Sequence, residues 1–256
     1  MLQNNKSLGQ HWLRDRFILD LIAELASEGT DRQHCLEIGP GLGTLTSSLL
    51  RNFDHVTSVE FDEKLAKNLP KSFPGKNLTV IHADFLKFPL SSVEAPYSVA
   101  ANIPYYITSP IIERLLEAEN RPQRIVLLIQ KEVAERIAAK KGKNSVLSLF
   151  VSNLAEVELS EVVGREYFTP PPRVDSQIIV LTPRPAPLVP REVIDFASRA
   201  FRSPRKKLTA NLSTSGLCSR ERALECVSRL HISENARPED LTLFDWKALA
   251  DLLKTS

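Results

Sequence analysis

The chain has 256 residues, 43% hydrophobic and 25% charged, a balance suited to a soluble globular protein of one large or two smaller domains. No apolar run reaches the ~18 residues of a membrane span, and the opening MLQNNKSLGQ lacks the apolar segment of a secretory signal, so a cytoplasmic protein with no membrane partner is expected. Cys35, Cys218 and Cys226 are scattered and lack metal-ligand spacing, which argues against a disulfide framework and against a metal cofactor.

From Gln33 to Gln130, short runs rich in Val, Ile and Leu alternate with helical patterns. HCLEIG, HVTSVEF, LTVIHAD, YSVAAN and RIVLLIQ read as strands buried on both faces of a parallel sheet. TLTSSLLRNF, DEKLAKNL and SPIIERLLEAE carry apolar residues three and four apart, as on amphipathic helices. In the last of these, Ser109 reads as the cap and Pro110 as the first helical residue. The alternation predicts an α/β, Rossmann-like doubly wound sheet. QKEVAERIAAKK and SVLSLFVSNL continue as helices, and AEVELSEVV and SQIIVLTP read as strands of a closing hairpin. TPRPAPLVP holds four prolines in nine residues, so no regular element runs through it. A boundary there gives domains 1–184 and 185–256. In the second, EVIDFASRAF, RERALECVSRL and DWKALADLLK predict a small α-helical domain.

The net charge of +2 conceals an uneven distribution. Between Arg184 and Lys207 lie seven basic residues against two acidic ones, and Lys140, Lys141 and Lys143 form a second basic cluster. Such runs are ordinarily solvated faces. Two of them in a nearly neutral chain also suit a polyanionic partner.

The strand HCLEIG runs into GPGLG, whose Gly39, Gly41 and Gly43 let the backbone turn sharply and approach a ligand. The dinucleotide fingerprint G-x-G-x-x-G is not met, because position 44 is Thr. Glu37 stands two residues before the first glycine. A carboxylate there would repel a pyrophosphate and attract an ammonium or a sulfonium, which favours S-adenosylmethionine over NAD. Glu60 ends the second strand, 21 residues after Gly39, where a carboxylate can accept ribose hydroxyls. Asp84 ends HAD and could accept from an adenine amino group. Singly, each acid reads as a helix cap or a loop charge. In order along the carboxyl ends of successive strands, they describe a nucleoside site.

ANIPYYITSP, residues 101 to 110, taken alone is turn chemistry, since Asn favours turns and Pro fixes φ. On this sheet, however, Asn102 falls at the end of the fourth strand, on the cofactor edge. The adenine N6 amino group is a weak nucleophile because its lone pair is delocalised into the ring. Two acceptors for its hydrogens, the Asn102 side-chain oxygen and the Ile103 carbonyl, would favour a lone pair aimed at a methyl sulfonium. Pro104 holds that carbonyl in one direction, and Tyr105 offers a ring for an extruded base. Because the cofactor carries the methyl, the protein must supply proximity and electrostatics rather than a strong base.

These stretches resemble the ribosomal RNA adenine N6-dimethyltransferases of the kasugamycin-sensitivity type. The resemblance runs through GQHWL at 9, LEIGPGLGTLT at 36, Glu60, Asp84, NIPYYITSPI at 102 and LLIQKEVAERI at 127. It continues through FTPPPRVDSQIIVL at 168, RAFRSPRKKLTANL at 199 and RPEDLTLFDWKALADLL at 237. It implies dimethylation of two neighbouring adenosines near the 3′ end of small-subunit RNA, in a pre-ribosomal 30S-type particle, with no DNA partner and by a monomer. It implies that His11 and Leu13 border the methionine end of the cofactor and that Gly39, Gly41, Glu60, Asp84 and Asn102 complete its pocket. Tyr105 and Phe168 would sandwich the target adenine, although Phe168 alone reads equally as a core aromatic. Arg202, Arg205, Lys206 and Lys207 would grip the RNA backbone, giving affinity without sequence readout. The family often has Asn and Phe where this chain has His11 and Trp12, and a denser arginine pair where it has Ser203-Pro204 before Arg205. Two other readings stand beside this one: a large-subunit RNA methyltransferase of the antibiotic-resistance type, and a non-catalytic assembly or RNA-binding relative.

Overall fold

The computed structural model describes residues 11–104, 107–139 and 142–254. In chain order the elements of the first part are β1 (Trp12–Leu13), α1 (Arg16–Ser27), β2 (His34–Ile38), α2 (Thr44–Asn52), β3 (His55–Glu60), α3 (Glu63–Asn68) and β4 (Leu78–His82). There follow β5 (Ser98–Asn102), α4 (Thr108–Glu117), β6 (Arg124–Gln130), α5 (Lys131–Ile137), α6 (Val146–Leu154), β7 (Ala155–Val163), β8 (Phe168–Thr169) and β9 (Ser176–Pro183). The remaining elements are α7 (Arg191–Ala200), α8 (Leu208–Thr214), α9 (Arg220–Arg229) and α10 (Leu243–Lys254).

Seven strands form one sheet in the order β4-β3-β2-β5-β6-β9-β7, parallel from β4 to β6, with β9 antiparallel to β6. The expected doubly wound sheet is therefore present, and β9 lies beside β7 as the closing hairpin required. Every residue of β2 is buried, whereas β4, at the sheet's edge, is only partly covered. Interior strands covered on both faces tolerate only apolar or internally bonded side chains, which is why these runs were legible.

Two helices, α1 and α8, lie outside the sequence reading. Asp15 caps α1 by accepting from the Ile18 N–H at 3.0 Å, and Ile18, Leu19, Ile22, Ala23 and Ala26 turn one buried stripe to the core. That stripe shares a cluster with Leu45 and Leu49 of α2 and with Val126, Leu128, Ile178 and Val180 of the sheet. α4 also starts earlier than expected: Thr108 is its first residue, and Pro110 is third rather than first. The N–H groups of a helix's first turn have no partner inside the helix, so proline's missing donor costs little at this position too.

The described chain divides into two compact units, residues 1–134 with 156–183 and residues 135–155 with 184–256. Residues 135–155, counted above with the first domain, thus group with the helical unit. The reason is α6, which buries Leu149, Phe150 and Val151; its Asn153 donates to the Val189 carbonyl at 3.1 Å and accepts from the Val189 N–H at 2.8 Å. In the same unit Trp246 is buried, with its ring 5.9 Å from that of Phe196 and 5.8 Å from that of Phe201. No described helix is long and apolar enough to cross a membrane.

Candidate active site

The sheet's winding reverses between β2 and β5: the chain runs outward through β3 and β4 on one side, then through β5 and β6 on the other. Ligands of open α/β sheets bind at such a switch point, beyond the strands' carboxyl ends. A cavity of about 340 Å³ opens there, within the usual size of a small-molecule site. Of the residues expected at the site, His11, Leu13, Gly39, Gly41, Glu60, Asp84, Asn102, Ile103, Pro104 and Phe168 all line it. Tyr105, like Lys140 and Lys141 of the basic cluster, lies outside the described residues.

The glycine loop after β2 is held from beneath by Glu60. This carboxylate, 5% exposed, accepts the Gly41 N–H at 3.0 Å with one oxygen and the Asp62 N–H at 2.8 Å with the other. Each oxygen retains lone-pair capacity toward the cavity. Gly43 closes the loop as the cap of α2 with φ +82°, and a Cβ there would stand 2.6 Å from Leu69 Cδ1. Only glycine meets both demands. Asp84 sits just beyond β4, where its Oδ1 accepts the Leu86 N–H at 3.0 Å.

The wall opposite is assembled from chain segments far apart in sequence. β1 and β8 pair antiparallel, Trp12 with Thr169 and Leu13 with Phe168. His11 reinforces this pairing by donating from Nδ1 to the Pro170 carbonyl at 2.7 Å, and the carbonyl partner requires the proton to sit on Nδ1. The His11 carbonyl in turn accepts from Asn102 Nδ2 at 3.2 Å. Asn102 is therefore tied down by its amino end, and no described residue donates to its Oδ1. Phe168 is 3% exposed and belongs to the core cluster while also lining the cavity, so both readings of this ring hold together.

Glu37 departs from expectation. It does not line the cavity and is 1% exposed beneath the loop. Its Oε2 accepts hydrogen bonds from the hydroxyls of Thr46 at 2.7 Å and Ser58 at 2.6 Å, while Oε1 has no partner among the described residues. Burial, aided by the nearby Glu60 charge and only partly offset by the two hydroxyls, pushes its carboxyl up to about 7. Its part is to brace the strand ends below the loop. The sequence pattern located the residue but could not say that Thr46 and Ser58 would claim it first.

The sequence reading also missed a pattern: a phenylalanine follows each of the two acids that line the cavity, Phe61 after Glu60 and Phe85 after Asp84, and both line it too. Phe61 is 59% exposed, an unusual state for a large ring at a strand end. In the helical unit, Arg202, Arg205, Lys206 and Lys207 are exposed on the segment between α7 and α8. Asn211, fully buried in α8 and unnoticed in the sequence, organises that segment. Its amide donates to the carbonyls of Ser203 at 2.9 Å, Lys206 at 3.1 Å and Lys207 at 3.3 Å, and its oxygen accepts the Ser203 N–H at 3.2 Å.

The cavity's donor set can be tested against the cofactor. No Lys or Arg lines it among the described residues, and two carboxylates do. That suits a ribose, an adenine and a cationic centre, and it does not suit a pyrophosphate. Sheet order and cavity together define the class: a Rossmann-like fold of the S-adenosylmethionine-dependent methyltransferases.

Comparison with known proteins narrows the class. The family described as ribosomal RNA adenine dimethylase matches residues 1–254. "Ribosomal RNA small subunit methyltransferase A" of Synechococcus sp. (strain JA-3-3Ab) is 41% identical, covering 97% of this chain and 92% of that protein. The protein of the same name from Dehalococcoides mccartyi is 36% identical, covering 97% and 88%. Among solved structures, a dimethyladenosine transferase from Plasmodium falciparum superposes with TM-score 0.80 at 27% identity, covering 96% of this chain and 98% of that one. The 23S rRNA methyltransferase ErmE superposes with TM-score 0.76 at 31% identity, covering 95% and 99%. The chain belongs to the ribosomal RNA adenine dimethylase family.

Proposed function

We propose that the protein transfers methyl groups from S-adenosylmethionine to N6 of two adjacent adenosines in the 3′-terminal hairpin of small-subunit ribosomal RNA, dimethylating each. It does so as a cytoplasmic monomer acting on a pre-ribosomal particle, without a DNA partner and without a metal. The single observation that carries this reading is the tethering of Asn102 by its amino end, which leaves its carboxamide oxygen, at the cavity wall, without a donor among the described residues.

The bound cofactor would supply an electrophilic methyl carbon on a sulfonium. Glu60 would accept ribose hydroxyls with its remaining lone pairs, and Asp84 would accept from the cofactor's adenine amino group. Asn102 Oδ1 and the Ile103 carbonyl would take the two hydrogens of the target N6, concentrating its lone pair along the line of attack. Pro104 restricts Ile103 to extended backbone and so limits where that carbonyl can aim. Phe168 and Tyr105 would flank the extruded base. The methyl would pass from the cofactor's sulfonium, which would be left a neutral thioether, to N6. The nitrogen would then carry the positive charge and release a proton to solvent, so the chain need supply acceptors and proximity and no strong base. Arg202, Arg205, Lys206 and Lys207, presented together by Asn211, would bind phosphates without reading sequence.

The test is incubation of the protein with labelled cofactor and small subunits from cells lacking this modification, followed by mass spectrometry of the RNA. N6-dimethyladenosine at two adjacent positions is expected, and its absence refutes the reading. Asn102→Ala should lose at least 100-fold in rate while keeping RNA affinity, since it removes one oriented acceptor. The likeness to ErmE favours one second reading, a large-subunit substrate. Supplying large subunits in the same assay separates the two.

A further inference from the structure

We propose that the indole N–H of Trp12 is a hydrogen-bond donor to the α-carboxylate of the cofactor's amino-acid arm, an inference that rests on the reading of the cavity as an S-adenosylmethionine site. Trp12 is held in β1 by its pairing with Thr169, and its side chain lines the cavity. Its Nε1 is shielded from solvent yet has no hydrogen-bond partner among the described residues. A buried donor without an acceptor is costly, so such groups in a binding site commonly belong to what binds there.

Two observations indicate what that acceptor is. The indole nitrogen lies 3.4 Å from the point where a Cβ on Gly41 would stand, and its neighbour Cδ1 lies 3.5 Å from the same point. The bare Cα of the glycine loop thus faces the indole edge, where a Cβ would stand in van der Waals contact with the donor. The second observation is charge. No described Lys or Arg lines the cavity, while Glu60 and Asp84 hold its nucleoside end and repel an anion from it. An amino-acid carboxylate entering here must turn away from those acids, toward β1 and the glycine loop, and must be met by neutral donors. Trp12 supplies one that a phenylalanine at this position would lack.

The test compares wild type with Trp12→Phe, which keeps an aromatic ring and removes the N–H. Calorimetric titration with S-adenosylhomocysteine is set beside titration with its decarboxylated amine, which retains the adenosine, sulfur and ammonium. The variant should bind S-adenosylhomocysteine roughly fivefold to twentyfold more weakly and the amine within twofold of wild type. Unchanged amine binding also shows that the variant is folded. Equal losses for both ligands would make Trp12 a shape-filling residue and overturn the proposal, as would no loss for either. A wild type that binds neither ligand would overturn the cofactor reading itself. Trp246 is the chain's only other tryptophan and lies buried in the helical unit, so a Trp246→Phe background isolates Trp12 emission, which should change with S-adenosylhomocysteine and not with the amine.

Discussion

Glu37 makes the ligand-free protein's stability depend on pH in the direction opposite to most carboxylates. Its carboxyl stands at about 7 in the folded chain against 4.5 in the open chain, because burial outweighs the Ser58 and Thr46 hydroxyls that bond its charged form. The native state therefore holds a proton that the unfolded state has already released. This contribution is fully present below pH ~4.5, declines as pH rises toward ~7, and is gone above that. At about 1.4 kcal/mol per pH unit, the whole span is worth about 3 kcal/mol, of which about 2–3 kcal/mol falls between pH 5 and 8. Glu37→Gln removes the titration. Its oxygen can still accept from both hydroxyls, and its amide nitrogen occupies the place of the partnerless Oε1. Urea unfolding followed by circular dichroism at several pH values gives the difference between variant and wild type, which cancels every other titrating group. The variant should gain about 2–3 kcal/mol on wild type from pH 5 to pH 8. Parallel stability curves would refute the reasoning, because they would mean that the carboxylate is solvated or charge-paired in the folded chain.

Two further substitutions probe the supports of the two functional regions. Gly43→Ala forces a side chain into left-handed backbone at φ +82° and against Leu69 and Phe73, so a loss of about 2–3 kcal/mol in urea unfolding is expected, together with weaker S-adenosylhomocysteine binding in a titration. Asn211→Ala removes the buried amide that gathers the carbonyls of Ser203, Lys206 and Lys207. It should weaken RNA-fragment binding severalfold in a filter assay and flatten its salt dependence, while the affinity for S-adenosylhomocysteine stays at the wild-type value.

Local pattern carried a large share of the catalytic unit. β2, β3, β5 and β6 are buried along nearly their whole length, and their runs of Val, Ile, Leu and Ala are what two covered faces demand. Once those strands are recognised, the parallel arrangement places Gly39, Glu60, Asp84 and Asn102 on one edge, since every parallel strand presents its carboxyl end the same way. That inference needed no tertiary contact. α1 escaped it because its apolar stripe lies between the expected motifs, with nothing beside it to announce a strand-helix unit. Residues 135–155 group with the helical unit, which the sequence could not show, because a helical periodicity says which face is buried and not what buries it.

Side-chain roles divide along the same line. The order of acids and glycines, the asparagine before proline and the uneven distribution of basic residues are properties of the chain, and they sufficed to indicate a nucleoside site that transfers a methyl to adenine. Folding alone decided that Glu37 turns to Thr46 and Ser58 rather than to the cavity, and that His11 bonds Pro170 with its ring while its carbonyl holds Asn102. It alone left the Trp12 nitrogen beside Gly41 without a partner among the described residues. These contacts join residues from 9 to 159 positions apart. Hydrogen bonds form over about three ångströms, and no spacing along a chain encodes which distant donor will arrive at that distance.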